Sequence, residues 1–286
     1  MNHQPQSGLD RQAFRHQPGE PVIRSVNWGG LKTLYIKEVR RFIKVQLQTI
    51  WAPAVTTLLF LAIFTVSLGG AGGQGGGRAA VMGVPFADFI APGLIIMGML
   101  QNSFANASFS LLAGKMQGTI VDYLMPPLST GEVMAALIGG AVTRAVCVGG
   151  AVWLAMQFWP GVHAVPTHPL AVVWFGLGGA LMLALLGLLT SMWAEKFDHA
   201  AAVTNFVVAP LSLLSGTFYS VERLHPTFQA ISHANPFFYI ISGFRYGFLR
   251  VADSPVLLGG AVVLAVDVAL ALLCYRLLSR GWKIKS

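Results

Sequence analysis

Charge is what this chain of 286 residues most lacks: Asp, Glu, Lys and Arg together make up 10% of it. An average soluble domain is about 25% charged, so a soluble fold of this length would have too few charges to cover its surface. With 55% hydrophobic residues and a mean hydropathy of +0.64, the composition indicates a polytopic membrane protein. Cysteine is scarce too. Cys147 and Cys274 both lie in apolar runs and read as small core residues, which argues against a disulfide framework or a cysteine metal site. A phosphate-binding G-x-x-x-x-G-K-[ST] loop is missing: Gly114-Lys115 is followed by Met116, with no glycine-rich stretch at the required distance before it. The first 48 residues are polar and basic, without the apolar core and small-residue site that mark a cleaved signal peptide.

The charges that are present sit at flanks. Of the 19 Lys and Arg, eight precede residue 45, and Arg276, Arg280, Lys283 and Lys285 close the chain. A nucleic-acid surface would spread them over one face; flanking clusters are the mark of membrane spans. About 20 mostly apolar residues cross a bilayer. Six stretches approach that length, roughly 49–68, 88–113, 133–158, 170–193, 200–217 and 256–278. The fifth is broken by Asn205 and Pro210. Six spans put both termini on one side, with fourteen Lys and Arg against Arg78, Arg223, Arg245 and Arg250 on the other. The positive-inside rule then places both termini in the cytoplasm.

Two segments are neither spans nor ordinary loops. Residues 31–46 put Leu31, Leu34, Tyr35, Val39, Phe42 and Val45 on one helical arc and Lys37, Arg40, Arg41 and Lys44 on the other, which predicts an amphipathic helix lying in the membrane interface. Glu38 falls inside the apolar arc and points to contact with protein there. The stretch between spans five and six is rich in aromatic rings but interrupted by Pro226, Pro236 and Gly243. It predicts a pair of short helices entering the outer leaflet, since broken backbone enters a membrane only where protein or a water-filled cavity shields it. Its Tyr219, Glu222, Asn235, Phe237, Phe238, Tyr239 and Arg245 read as an outer gate, or else as a structural plug. GGAGGQGGG (69–77) reads as a spacer. His163 and His168 are too few for a metal site.

Taken in order, FIAPGLIIMGMLQNSFANASFS (89–110), GKMQGTIVDYLMPPLSTGEVM (114–134), PLSLLSGTFYSVERLHP (210–226) and NPFFYIISGFRYGF (235–248) resemble the permease subunit of type-2 ATP-binding cassette (ABC) transporters, in particular the bacterial inner-membrane exporters. The likeness covers roughly residues 28–280. It leaves 1–27 as a disordered cytoplasmic tail and 281–286 as a short cytoplasmic C-terminal tail. The resemblance implies an all-α fold of six spans with an entrance helix and a re-entrant hairpin. It also implies a dimer with a second permease copy, embedded in lipid and docked on a separate ATPase subunit. ATP and Mg belong to that partner, and this chain holds no cofactor.

In that family the connection between spans two and three forms the coupling helix. Here it is Lys115–Thr130, where Gln117, Ile120, Val121 and Leu124 repeat at near-helical spacing and Pro126-Pro127 ends the helix. Glu195 and Asp198 in the next cytoplasmic connection read as a second contact with the ATPase. Inside the membrane, costly polar residues default to function. Arg144 and Asp267 both fall near mid-bilayer and are expected to pair, facing the pathway or reaching for the surface being the alternatives. Gln101, Asn102, Asn106 and Asn205 are candidates for the pathway lining or for helix–helix hydrogen bonds. An ion-coupled transporter stays open, although internal repeats and a relay of ionisable groups are not evident. An intramembrane enzyme also stays open, although Ser212, Ser215 and the histidines show no nucleophile–base spacing.

Overall fold

The structure, a computed structural model, describes residues 26–69, 80–159 and 162–283. The basic tail, nearly all of the glycine spacer and the last three residues of the C-terminal tail lie outside the described residues. Helix α1 (Trp28–Ile43) is capped by Asn27, whose Oδ1 accepts from Gly30 N. A π-helical turn, Leu47–Trp51, leads into α2 (Ala52–Gly69). Strands β1 (Ala80–Val81) and β2 (Val84–Pro85) form a minimal hairpin. Its turn residues Met82 and Gly83 have φ of 52° and 81°, the left-handed pair that a two-residue hairpin loop demands. Then come α3 (Phe86–Met116), α4 (Val121–Leu124), α5 (Thr130–Gln157) and α6 (Pro169–Trp193). A broken helix follows: α7 (Phe197–Val203), a π turn at Thr204–Val208, and α8 (Ala209–Leu214). Two short helices, α9 (Pro226–Ala234) and α10 (Pro236–Leu249), precede α11 (Val256–Ser279).

Five helical stretches among the described residues are long and apolar enough to cross a bilayer: Leu47–Thr65, Thr130–Gln157, Pro169–Trp193, Phe197–Leu214 and Val256–Ser279. The expected span over 88–113 is not among them. It corresponds to α3, which at 31 residues is about 46 Å long. Its second half carries Gln101, Asn102, Ser103, Asn106, Ser108 and Ser110, which dilute its apolarity. With five such helices and almost no sheet, the chain is an all-α polytopic membrane protein.

In lipid, helices gain little from hydrophobicity against each other, and small residues and interhelical hydrogen bonds decide the packing. The central pair α3 and α6 shows this. A Cβ on Gly187 would lie 2.6 Å from the Phe104 carbonyl oxygen, so α6 meets the α3 backbone directly. One turn pair away, Ser103 Oγ donates to Ala180 O at 2.6 Å. Helices α5, α10 and α11 complete the bundle around this pair.

Contacts sort the connections to two ends. At one end Lys115 of α3 donates to the Met192 and Ala194 carbonyls at the C-terminal end of α6, Asn27 meets Glu132, and Lys283 pairs with Glu195 at 3.6 Å. This is the basic end. At the far end, Thr167 N and His168 N donate to Gly247 O at 2.9 and 2.8 Å, and Arg245 reaches Gly216.

Candidate functional site

At the basic end, α1 does not rest on lipid alone. It lies along α5, where a Cβ on Gly140 would sit 2.7 Å from Glu38 Cβ, and Tyr35 Oη hydrogen-bonds Thr143 Oγ1 at 2.8 Å. Leu34, Glu38 and Phe42 are buried by that contact. Glu38 is fully buried yet charged, so it needs partners. Arg41 Nη2 lies 2.9 Å from Glu38 Oε2 and donates to Asn106 O at 2.9 Å and to Asn106 Oδ1 at 3.2 Å. Tyr123 of α4 donates its hydroxyl to Glu38 Oε1 at 3.4 Å. Burial, with the Glu38 charge beside it, pushes the Tyr123 hydroxyl up to about 12. Lys37 Nζ stands 3.8 Å from the Tyr123 ring centroid.

A second tie holds the same junction. Glu132 accepts from Asn27 N at 2.6 Å through Oε1 and from Ser129 N at 2.7 Å through Oε2. Ser129 Oγ accepts from Glu132 N in return, a capping box at the start of α5. The segment linking α3 to α5 is thus welded to α1 from beneath. Its other side is bare and greasy: Met116 and Val121 are exposed, and Met125 is 78% exposed.

The expected helix over Lys115–Thr130 is shorter than the spacing suggested. Gly118, at φ 69°, breaks the chain after α3, and only Val121–Leu124 is helical. Gln117 caps α3 and is exposed, while Ile120 is half-buried. The Leu124 side chain lies outside the described residues. Lys115 faces the α6 terminus and belongs to the bundle rather than to the exposed face. Glu195 and Asp198 are exposed at the same end, with Asp198 in the first turn of α7. Tyr123 and Arg41 were the residues that spacing alone missed; the buried Glu38 was their signal, since a carboxylate on an apolar arc requires donors.

Within the bundle, the polar residues pair differently from expectation. Arg144 Nη2 donates to Asn102 Oδ1 at 2.9 Å, and Asn102 Nδ2 donates to Gly98 O at 3.0 Å. Arg144 therefore pairs with Asn102 on α3 and not with Asp267. Asp267 is buried against α6 near Gly178, with Oδ1 unpartnered. Gln101 and Asn102 line a polar cavity of about 330 Å³ between α2 and α3, together with Gln48, Thr56 and Thr57. Asn205 is exposed on the π turn and does not reach that cavity.

The far-end helix pair is largely packed into the bundle. Phe237, Phe238 and Arg245 are buried. Arg245 is 0% exposed, donates to Asp253 Oδ2 at 2.7 Å and to Gly216 O at 2.6 Å, and lies 4.0 Å over the Phe89 ring. Asn235 caps α10 through Oδ1 and donates to Leu211 O at 3.0 Å and Ser215 Oγ at 2.8 Å. Tyr239 and Tyr219 are half-buried, their hydroxyls donating to the His233 and Leu214 carbonyls. Glu222 alone of these residues points outward. Phe237 joins the main core cluster, whereas Phe238 packs edge-on against His233 and Tyr239 within the hairpin.

The comparisons with known proteins match this arrangement. A family described as ABC-2 type transporter matches residues 30–249, from α1 through α10. The chain is 36% identical over 261 residues to the inner membrane transport permease YadH of Escherichia coli (strain K12), covering 91% of this chain and 98% of that protein. It is 27% identical over 215 residues to nodulation protein J of Sinorhizobium fredii (strain NBRC 101917 / NGR234), covering 72% of this chain and 77% of that protein. Nodulation protein J of Neorhizobium galegae is 26% identical over 209 residues. With the α1–α4 junction, the polar cavity and the hairpin all inside the matched residues, the chain belongs to the ABC-2 type transporter family as a transport permease.

Proposed function

We propose that this permease is the membrane half of an ATP-driven exporter, powered by a separate ATPase subunit that carries ATP and Mg. The observation that carries this is the α4 junction. An apolar face of Met116, Val121 and Met125 stands exposed at the basic end, in a region whose surroundings are too polar for lipid. A patch of that kind marks a protein-docking surface. Beneath it, Tyr123, Glu38 and Arg41 join the patch to Asn106 on α3, and Asn102, one turn away, lines the polar cavity. A push on α4 reaches the cavity wall through that chain of contacts.

In this reading α3 is the sixth span. It runs from the far end to the basic end, and its polar side chains face protein or the cavity rather than lipid. Both termini then lie in the cytoplasm of a cell with an inner membrane, where the basic flanks belong. The permease works as a dimer. Asn205, exposed beside the exposed apolar side chains of Phe206 and Val207, supports a partner there, since a polar amide in hydrocarbon seeks hydrogen bonds. The two copies enclose the path between them, and α9–α10 form its re-entrant outer end. Export rather than import follows the family resemblance.

The test is co-expression with candidate ABC ATPase subunits from the same organism, followed by co-purification and ATP hydrolysis by the complex. Val121→Asp together with Met125→Asp is expected to abolish association while leaving the permease monodisperse. Association that survives both substitutions overturns the docking face.

A further inference from the structure

A second cavity, which shares no residue with the polar one, encloses about 440 Å³ between α3, α5, α6 and α10. Met99, Gly150, Trp153, Val173, Phe244 and Phe248 are among its lining residues. None of its lining side chains is charged, and the Trp153 indole N–H is already spent on Ala164 O at 2.8 Å. The cavity opens sideways: Val146, Val173 and Leu177 on its rim are exposed on the outside of the bundle. It lies near the far end, at the last turns of α5 and the first turns of α6.

Gly150 shows that this space is built rather than left over. Its neighbour Gly149 is required for close packing, because a Cβ there would lie 2.6 Å from Met99 Sδ. A Cβ on Gly150 would meet nothing within 4 Å. Glycine disfavours a helix interior, and here no neighbouring helix demands it; what its missing side chain provides is room in the cavity.

Water does not fill such a space, because a buried water needs two to four polar partners. Left empty, the lining atoms would forfeit their dispersion contacts. The mouth is rimmed by exposed apolar side chains, the kind of surface that a membrane-spanning bundle turns toward hydrocarbon. We propose that the cavity is a binding site for one acyl chain of a membrane phospholipid, held between α10 of the hairpin and the α5–α6 wall. The proposal rests on the membrane embedding of the chain and not on its ATPase partner or direction of transport.

The experiment uses the full-length permease in nanodiscs of phosphatidylethanolamine carrying a diazirine on one acyl chain, irradiated and mapped by peptide mass spectrometry. Met99 and Phe244 are buried, whereas Leu257 of α11 is 90% exposed and reports ordinary surrounding lipid. Labels are expected on Met99 and Phe244 as well as Leu257. Gly150→Leu, which fills the space and favours the helix, is expected to remove the labels from Met99 and Phe244 and keep that on Leu257. Val173→Trp, which fills the cavity from α6, is expected to do the same and carries the test if Gly150→Leu does not fold. Labels confined to exposed residues, or labels on Met99 and Phe244 that survive both substitutions, overturn the site. Because the readout needs no ATPase, its failure leaves the docking face on α4 untouched, and the converse holds.

Discussion

Both ends of this permease bury a charged pair, and the two pairs are built for opposite purposes. At the far end, Arg245 and Asp253 are both shut away from solvent, with side-chain exposures of 0% and 1%. Ser220 Oγ adds a hydrogen bond to Asp253 Oδ1 at 2.7 Å, and Gly216 takes the second arm of the guanidinium. The pair stitches α10 to the loops on either side of it. At the basic end, Glu38 is buried but Arg41 is one-third exposed, the Tyr123 contact is long at 3.4 Å, and no donor is aligned on Glu38 Oε2. A closed network, in which Arg245 Nε is the one guanidinium nitrogen left without an acceptor, fixes a shape; a half-open one beside the proposed docking patch can pass on a displacement. Under the proposed coupling, the difference separates a part of the molecule that stays still from a part that is pushed.

The sharpest way to break the comparison is at the far end. Arg245→Met alone strands Asp253 in the interior, which costs about 3–5 kcal/mol, and loss of folded protein is expected by size-exclusion and thermal unfolding in detergent. Arg245→Met with Asp253→Leu removes both charges and is expected to recover most of that loss. A smaller effect is expected between α3 and α6. Gly187→Val would force a side chain against the Phe104 carbonyl, an overpacking worth about 1–3 kcal/mol, read as a lowered unfolding midpoint. At the basic end, Tyr123→Phe is expected to cost only about 1 kcal/mol of stability, yet to cut transport-linked ATP hydrolysis in the assembled complex. Equal losses of stability for Tyr123→Phe and Arg245→Met would erase the distinction between the two ends.

The smallest effect is one of pH. The Tyr123 hydroxyl rises from 10.0 to about 12 in the fold, so between those values the folded state holds a proton that the unfolded chain has released. Stability from this group is complete below pH 10 and is lost as the pH climbs through 12. Tyr123→Phe is expected to flatten that part of the stability curve.

What could be read from the residues follows the same division. Span positions were legible, because hydrocarbon imposes length and apolarity one helix at a time: 170–193 and 256–278 became Pro169–Trp193 and Val256–Ser279. Pro226 and Pro236 located the hairpin to the residue, each opening a short helix. Pairings were not legible. Arg144 and Asp267 sit at similar depth, but which faces meet depends on helix rotation, and rotation put Asn102 opposite Arg144. The same limit hid the burial of Phe237 and Phe238, since it is decided by packing against other parts of the fold. The α4 junction was half legible: its prolines and apolar residues pointed to a docking element, but the break at Gly118 depends on a backbone angle that spacing does not encode.

Glu132 serves as a common peg for the first residues of α1 and of α5, because its two carboxylate oxygens hold Asn27 and Ser129 at once. Asn27 is therefore anchored a short step from the greasy face of Met125, its Nδ2 also donating to Pro127 O at 3.1 Å. If the proposed ATPase docks on that face, a fluorophore attached at Val26 is expected to brighten or dim on its arrival, so that assembly could be timed without a label on any other subunit.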